Sequence, residues 1–159
     1  MRESGAGPMG IYEKARSITD TDLRMLVEGA SDAQEALRRH ILSLEESHRQ
    51  LEGSWGTMDR QRQWLEASAE RKLSLAEEWR RRAQVSATQA REDLATHARE
   101  RQQELMLSMG EDRKQLEALR PQIAETGRRI EELLQKIRKA RAVRESLFGG
   151  ADPGGTPKA

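Results

Sequence analysis

Cysteine is absent from the 159-residue chain. That excludes disulfides and thiolate metal sites, and makes the reducing cytoplasm the expected setting. Aromatic residues amount to only 3%, too little apolar bulk for a compact multilayer core. No apolar run approaches the ~20 residues needed to cross a bilayer as a helix. Met1 to Gly10 contains no apolar stretch of the kind that marks a secretory signal, so any membrane role is expected to be peripheral. There is also no excess of one charge. Lys and Arg total 28 against 27 Asp and Glu, for a formal net charge of +1. A nucleic-acid-binding arm needs a basic surplus, so nucleic acid is not an expected partner.

What the chain has in abundance is charge of both signs, 35% of all residues against about 25% in an average globular domain. Apolar residues are spaced to match. Stepping by four and three from Leu37 gives Ile41, Leu44, His48, Leu51, Trp55, Met58, Arg62, Leu65, Ala69, Lys72, Ala76, Trp79 and Ala83, interrupted only by His48, Arg62 and Lys72. A second stripe starts at Leu94 and Ala98 and runs through Leu105, Met109, Leu116, Leu119, Ile123, Ile130, Leu133, Ile137 and Ala140. Alternating spacing sustained over this many heptads is the coiled-coil signature. Two stripes of nearly equal length, separated by the weakly apolar stretch 85–91, predict that the chain folds back on itself. The competing reading is one continuous helix that dimerises.

The expected fold is therefore all-α: a long antiparallel two-helix coiled-coil hairpin over 31–148, with arm one at about 31–89 and arm two at about 91–148. Ser31 and Gln34 have capping-box spacing at its start. Residues 9–29 are expected to form short N-terminal helices behind a flexible Gly- and Pro-punctuated leader at 1–8. The Gly- and Pro-rich segment 149–159 reads as a disordered tail.

Catalysis requires polar groups converging in a water-excluding pocket, which a two-helix rod does not provide. His40, His48 and His97 lack metal-ligand spacing, and no Gly-rich phosphate loop precedes a helix. The chain is accordingly expected to be no enzyme and to need no cofactor or metal. His48 lies on the stripe, either as a pH-sensitive core group or as a tolerated seam position reaching solvent. Glu77-Glu78-Trp79-Arg80-Arg81-Arg82 reads as a solvated helix face with weak ion pairs. Leu42, Trp64, Leu73, Leu75, Met106 and Leu107 fall outside the seam and should leave apolar surface exposed, a common mark of an interface.

Two further features stand out. As a helix, 9–18 would gather Ile11, Tyr12, Ala15 and Ile18 on one face, opposite Glu13, Lys14, Arg16 and Ser17. This is the profile of a helix that lies in a membrane interface; the alternative is that the segment packs on the hairpin or stays unstructured. A single copy should bind weakly, because burying Ile and Tyr yields at most about 1.5–3 kcal/mol each against an ordering cost of similar size. Many copies on one polymer would bind well through avidity. The second feature is a candidate hinge. If the turn centres near 90, facing residues sum to about 180, so Trp55 meets Thr126 and Gly127. Gly53, Gly56, Pro121 and Gly127 then gather at one level, and Gly127 would make room for the indole. The plain alternative is drift, since long coiled coils tolerate isolated Gly and Pro.

The order of segments, with Met9-Gly10-Ile11-Tyr12, Glu78-Trp79 followed by Ala83, Arg91-Glu92-Asp93-Leu94-Ala95 and Lys136-Ile137, resembles the phage shock protein A family. That family includes the vesicle-inducing protein of plastids and is ESCRT-III-like. The resemblance spans roughly 9–148. It implies a peripheral membrane protein that self-assembles on stressed or anionic bilayers, here on the inner face of the plasma membrane. In some members the hairpin also restrains a AAA+ transcriptional activator. The resemblance thus leads to a membrane-stress effector or regulator, with a cytosolic adaptor or inhibitor of a AAA+ activator as the alternative.

Overall fold

A computed structural model describes residues 32–149. The leader, the short N-terminal helices with Ile11, Tyr12, Ala15 and Ile18, and tail residues 150–159 lie outside the described residues. Those described form two helices, α1 (Ala33–Thr88) and α2 (Glu92–Phe148), packed against each other with no strand. The fold class is all-α, a helical hairpin. Because α1 starts at Ala33, its cap position falls on Asp32 rather than Ser31, and the Asp32 carbonyl accepts the Ala36 amide at 3.0 Å. Asp serves as well as Ser at that position, so sequence alone could not choose between them.

The turn contains neither Gly nor Pro, yet it has a definite form. The Arg91 amide donates to the Ser86 carbonyl at 2.8 Å, and the Ala90 amide donates to the Ala87 carbonyl at 3.1 Å. This pair of bonds is a Schellman motif, which needs a left-handed residue at its centre. Ala90 occupies that place with φ of 57°. For a residue with a Cβ, that conformation costs about 1–2 kcal/mol. Beyond the turn, Glu92 and Asp93 place negative charge at the N-terminus of α2, where it complements the helix dipole. Ala90→Gly should therefore stabilise the chain by about 0.5–1 kcal/mol, after the extra entropy of an unfolded glycine is subtracted. Urea denaturation measures it; a loss of stability would contradict the strained turn.

The packing divides into two compact units, residues 32–55 with 125–149, and residues 56–124. In the first unit the core is aliphatic: Leu37, Ile41, Leu44 and Leu51 of α1 pack with Leu133, Ile137 and Ala140 of α2, flanked by Ile130, Val143 and Phe148. Arg141 donates to Glu45 across the two helices at 2.8 Å. In the second unit Leu65 packs with Leu116 and Leu119, supported by Met58 and Ile123. Nearer the turn, the buried seam of this unit is made largely of alanines 69, 76, 83, 95 and 98.

The α2 seam differs from the sequence expectation at its start. Leu94 is 42% exposed, while Ala95 is fully buried. The reason is phase: counting back from Ala98 by three reaches Ala95, and from there the alternation runs unbroken through Gln102, Leu105, Met109 and Asp112 to Ala140. A large residue next to a small one misdirected the count. Trp55 is the other departure, at 37% exposure. An indole is too large for a two-helix seam to cover on every side.

Candidate functional surface

Among the described residues, the features that stand out are polar contacts in the seam and large apolar side chains outside it. Asp112, on the inward face of α2, is the one buried charged side chain among the described residues. One of its carboxylate oxygens accepts from Ser68 Oγ and from Lys72 Nζ, each at 2.8 Å. Ser68 is buried with it, and the Lys72 ammonium is largely covered. Hydrogen bonding from Lys72 outweighs burial and, with the bond from Ser68, holds the Asp112 carboxyl below its usual range. Lys72 interrupts the apolar stripe of α1, so the sequence showed it as a flaw. Nothing in the sequence around Asp112 marks it as inward-facing until the phase of α2 is known.

The sign of the pH effect follows. A carboxyl whose pKa is lowered by folding contributes stability above its unfolded pKa, and that contribution disappears as pH falls through the folded value. Asp112→Asn should thus destabilise the chain near neutrality, and the gap between variant and parent should shrink as pH falls through and below the ordinary aspartate range. Urea melts from pH 7 to about pH 2 check this; a gap independent of pH would show that the carboxylate charge is immaterial.

Trp79, half-buried on the α1 seam, carries the Arg82 guanidinium 4.6 Å above its ring. Arg101 of α2 stands 5.9 Å from the same ring, and the His97 imidazole meets it edge-on at 5.8 Å. These contacts use the aromatic face and desolvate part of the arginine stems, so the Glu77–Arg82 run is not simply a solvated face. Elsewhere the charges behave as expected of helix surfaces. Glu35 bridges Arg38 and Arg39, and Glu46 pairs with Arg49, as Glu125 does with Arg128 and Arg129. Such exposed pairs are worth a few tenths of a kcal/mol each.

His48 sits on the seam with Nε2 3.5 Å from the Glu52 carboxylate. That nitrogen is buried and makes no hydrogen bond. The fold lowers the pKa of His40, through burial first and the Lys136 charge second. His97 belongs to the Trp79 cluster, so the three histidines converge on no common site. Among the described residues no group of three or more His, Asp or Glu side chains is placed to hold a metal ion, and no helix is long and apolar enough to cross a membrane.

Outside the seam, Leu42, Trp64, Leu73, Leu75, Met106 and Leu107 are all exposed, Trp64 at 61% and Leu107 at 72%. They do not form one stripe: residues two apart, such as Leu73 and Leu75, point about 200° apart around a helix. Beside Leu73, an open groove of about 350 Å³ has Ala69 and Leu116 on its floor and Glu66, Glu70, Glu117, Arg113 and Arg120 on its rim. Arg120 reaches Glu66 across it at 3.5 Å.

Of the candidate hinge residues, Gly53, Gly56, Pro121 and Gly127 are all helical. Gly53 and Gly127 belong to the first unit, and Gly56 and Pro121 to the second. Gly127 does lie beside Trp55, yet a Cβ at Gly127 would stand 3.8 Å from the indole nitrogen, an ordinary contact. Room for the indole therefore does not require glycine. A Cβ at Gly53 would meet nothing within 4 Å, and one at Gly56 only the flexible Arg60 side chain.

The seam residues fall where helix phase puts them: Leu37, Ile41, Leu44, Leu51, Leu65, Leu116, Leu119 and Ile137 are buried, and Met58, Trp79, Leu105, Ile123 and Ile130 are half-buried. Comparison with protein-family models, with curated proteins and with solved structures finds no match to this chain.

Proposed function

We propose that this chain is a non-enzymatic, self-assembling protein that binds membrane surfaces peripherally, a membrane-stress effector or regulator of the phage shock protein A type acting at the cytoplasmic face of the plasma membrane. The observation that carries the reading is the exposure of large apolar side chains on several sides of the hairpin, with Trp64 and Leu107 the most exposed. A helix surface otherwise covered by Glu–Arg pairs has no need of them, and apolar groups left facing water are favourable to cover. The motifs Met9-Gly10-Ile11-Tyr12, Glu78-Trp79 and Arg91-Glu92-Asp93-Leu94-Ala95 support the family likeness, and the amphipathic pattern of 9–18 supplies the membrane contact through Ile11, Tyr12, Ala15 and Ile18. Because that segment is short and weakly apolar, binding depends on many copies acting together.

Co-sedimentation with vesicles containing anionic lipid tests the proposal. Assembled chain should pellet with the vesicles, and deletion of residues 1–19 should abolish pelleting while leaving helicity and melting nearly unchanged. Equal loss of binding and thermal stability would place the segment on the hairpin. Assembly without vesicle binding would favour the adaptor of a AAA+ activator instead.

A further inference from the structure

We propose that the buried Ser68–Lys72–Asp112 cluster selects how the two arms pair, admitting the antiparallel register in which Lys72 meets Asp112 and rejecting both heptad-shifted registers and the parallel pairing of like arms. The need for such a device arises from the seam around it. Within residues 56–124, four of the seam positions on the turn side of the cluster are buried alanines, Ala76, Ala83, Ala95 and Ala98, beside buried Met109 and half-buried Trp79, Gln102 and Leu105. Alanine knobs pack comparably when one helix slides by seven residues, so these four positions do little to discriminate between registers. The turn gives little further help. It contains no Gly or Pro and already holds Ala90 in a strained conformation, so it could re-form a few residues away.

The polar cluster does discriminate. In the observed register Asp112 has two donors at 2.8 Å. Sliding one heptad in one direction would put Asp112 among Leu75, Ala76 and Trp79 and strand Lys72 beside Leu119. Sliding the other way would set Lys72 beside Leu105, with Asp112 level with Arg62, whose guanidinium is already held by Asp59 and Glu66. Parallel association of two α1 helices would bring Lys72 against Lys72, and two α2 helices would bring Asp112 against Asp112. Each alternative leaves a seam charge unpaired or facing its like, which costs far more than the native pair contributes. The cluster is thus worth more as a selector than as a source of stability.

Because the chain lacks cysteine, engineered pairs report register directly. Ala76→Cys with Leu105→Cys marks the observed alignment, and Ala76→Cys with Ala98→Cys marks one shifted by a heptad; a disulfide closes only when the Cα atoms come within about 7 Å. In the parent, the first pair should oxidise at least about tenfold faster than the second. In a Lys72→Leu/Asp112→Leu background, the shifted pair should close at a rate comparable to the first, while the melting temperature is unchanged or higher. Retention of the observed register alone in that background would overturn the proposal. Asp112→Lys provides a separate decision: it should suppress the observed cross-link about tenfold, and adding Lys72→Asp should restore it. An undiminished observed cross-link in Asp112→Lys would equally overturn it.

Discussion

Leu133→Ala is expected to cost about 2–5 kcal/mol of folding stability, as a buried leucine does when its cavity cannot collapse. Leu133 is fully buried among Leu37, Ile41, Leu44 and Leu51 of α1. Among the described residues the seam is a single layer of side chains between two helices, so relaxation into a void should be limited and the cost substantial. The informative control is Leu107→Ala. Leu107 is apolar and equally large but 72% exposed, and its removal should change stability by no more than about 0.5 kcal/mol. It should instead weaken self-association, seen by light scattering as a shift of the concentration at which particles larger than the 18.1 kDa chain form. If both substitutions reduced stability alike, the separation of seam from outer surface would be wrong. If Leu107→Ala left association untouched, that residue would not belong to the assembling surface.

Pro121→Ala should act in the opposite direction, stabilising the chain by about 2–3 kcal/mol. α2 remains helical through Pro121, although a proline inside a helix removes one backbone hydrogen bond and crowds the carbonyl four residues earlier, here that of Glu117, at a cost of about 3 kcal/mol. Part of the gain is returned because alanine leaves the unfolded chain freer than proline does. Pro121 is exposed, so alanine leaves no cavity. Urea denaturation gives the magnitude. Amide exchange adds a local test: protection should rise for residues around 117–125. A chain no more stable with alanine would mean that Pro121 makes compensating contacts. The expected gain also bears on why the residue is tolerated, since a helix with a missing bond bends more readily at that level.

Much of this architecture was legible in the order of residues. The stripes at 37–83 and 94–140, the second out of phase only at Leu94, dictated two helices, because only a helical period places residues three and four apart on one face. The near-equal lengths of the stripes dictated the fold-back, and a turn at 89–91 then paired Leu65 with Leu116 and Met58 with Ile123. Exposure of Trp64, Leu73 and Leu107 followed from the same geometry. These features are local or periodic, and periodicity survives in one dimension.

What only the tertiary structure decided was each feature that depends on the partner helix. Leu94 and Ala95 are adjacent and both apolar, and the exact phase of α2 against α1 chose the smaller one for burial. Asp112 looked like any surface carboxylate until the opposite arm brought Ser68 and Lys72 within 2.8 Å. Ala90 gave no sign of a turn, since its left-handed conformation is imposed by two helices that must meet and not by its own preference. The spacing of residues along the chain thus determined that two amphipathic helices pair. The distances between side chains far apart in sequence decided which charges enter the seam, because a polar group's burial is favourable only when its partner is in place.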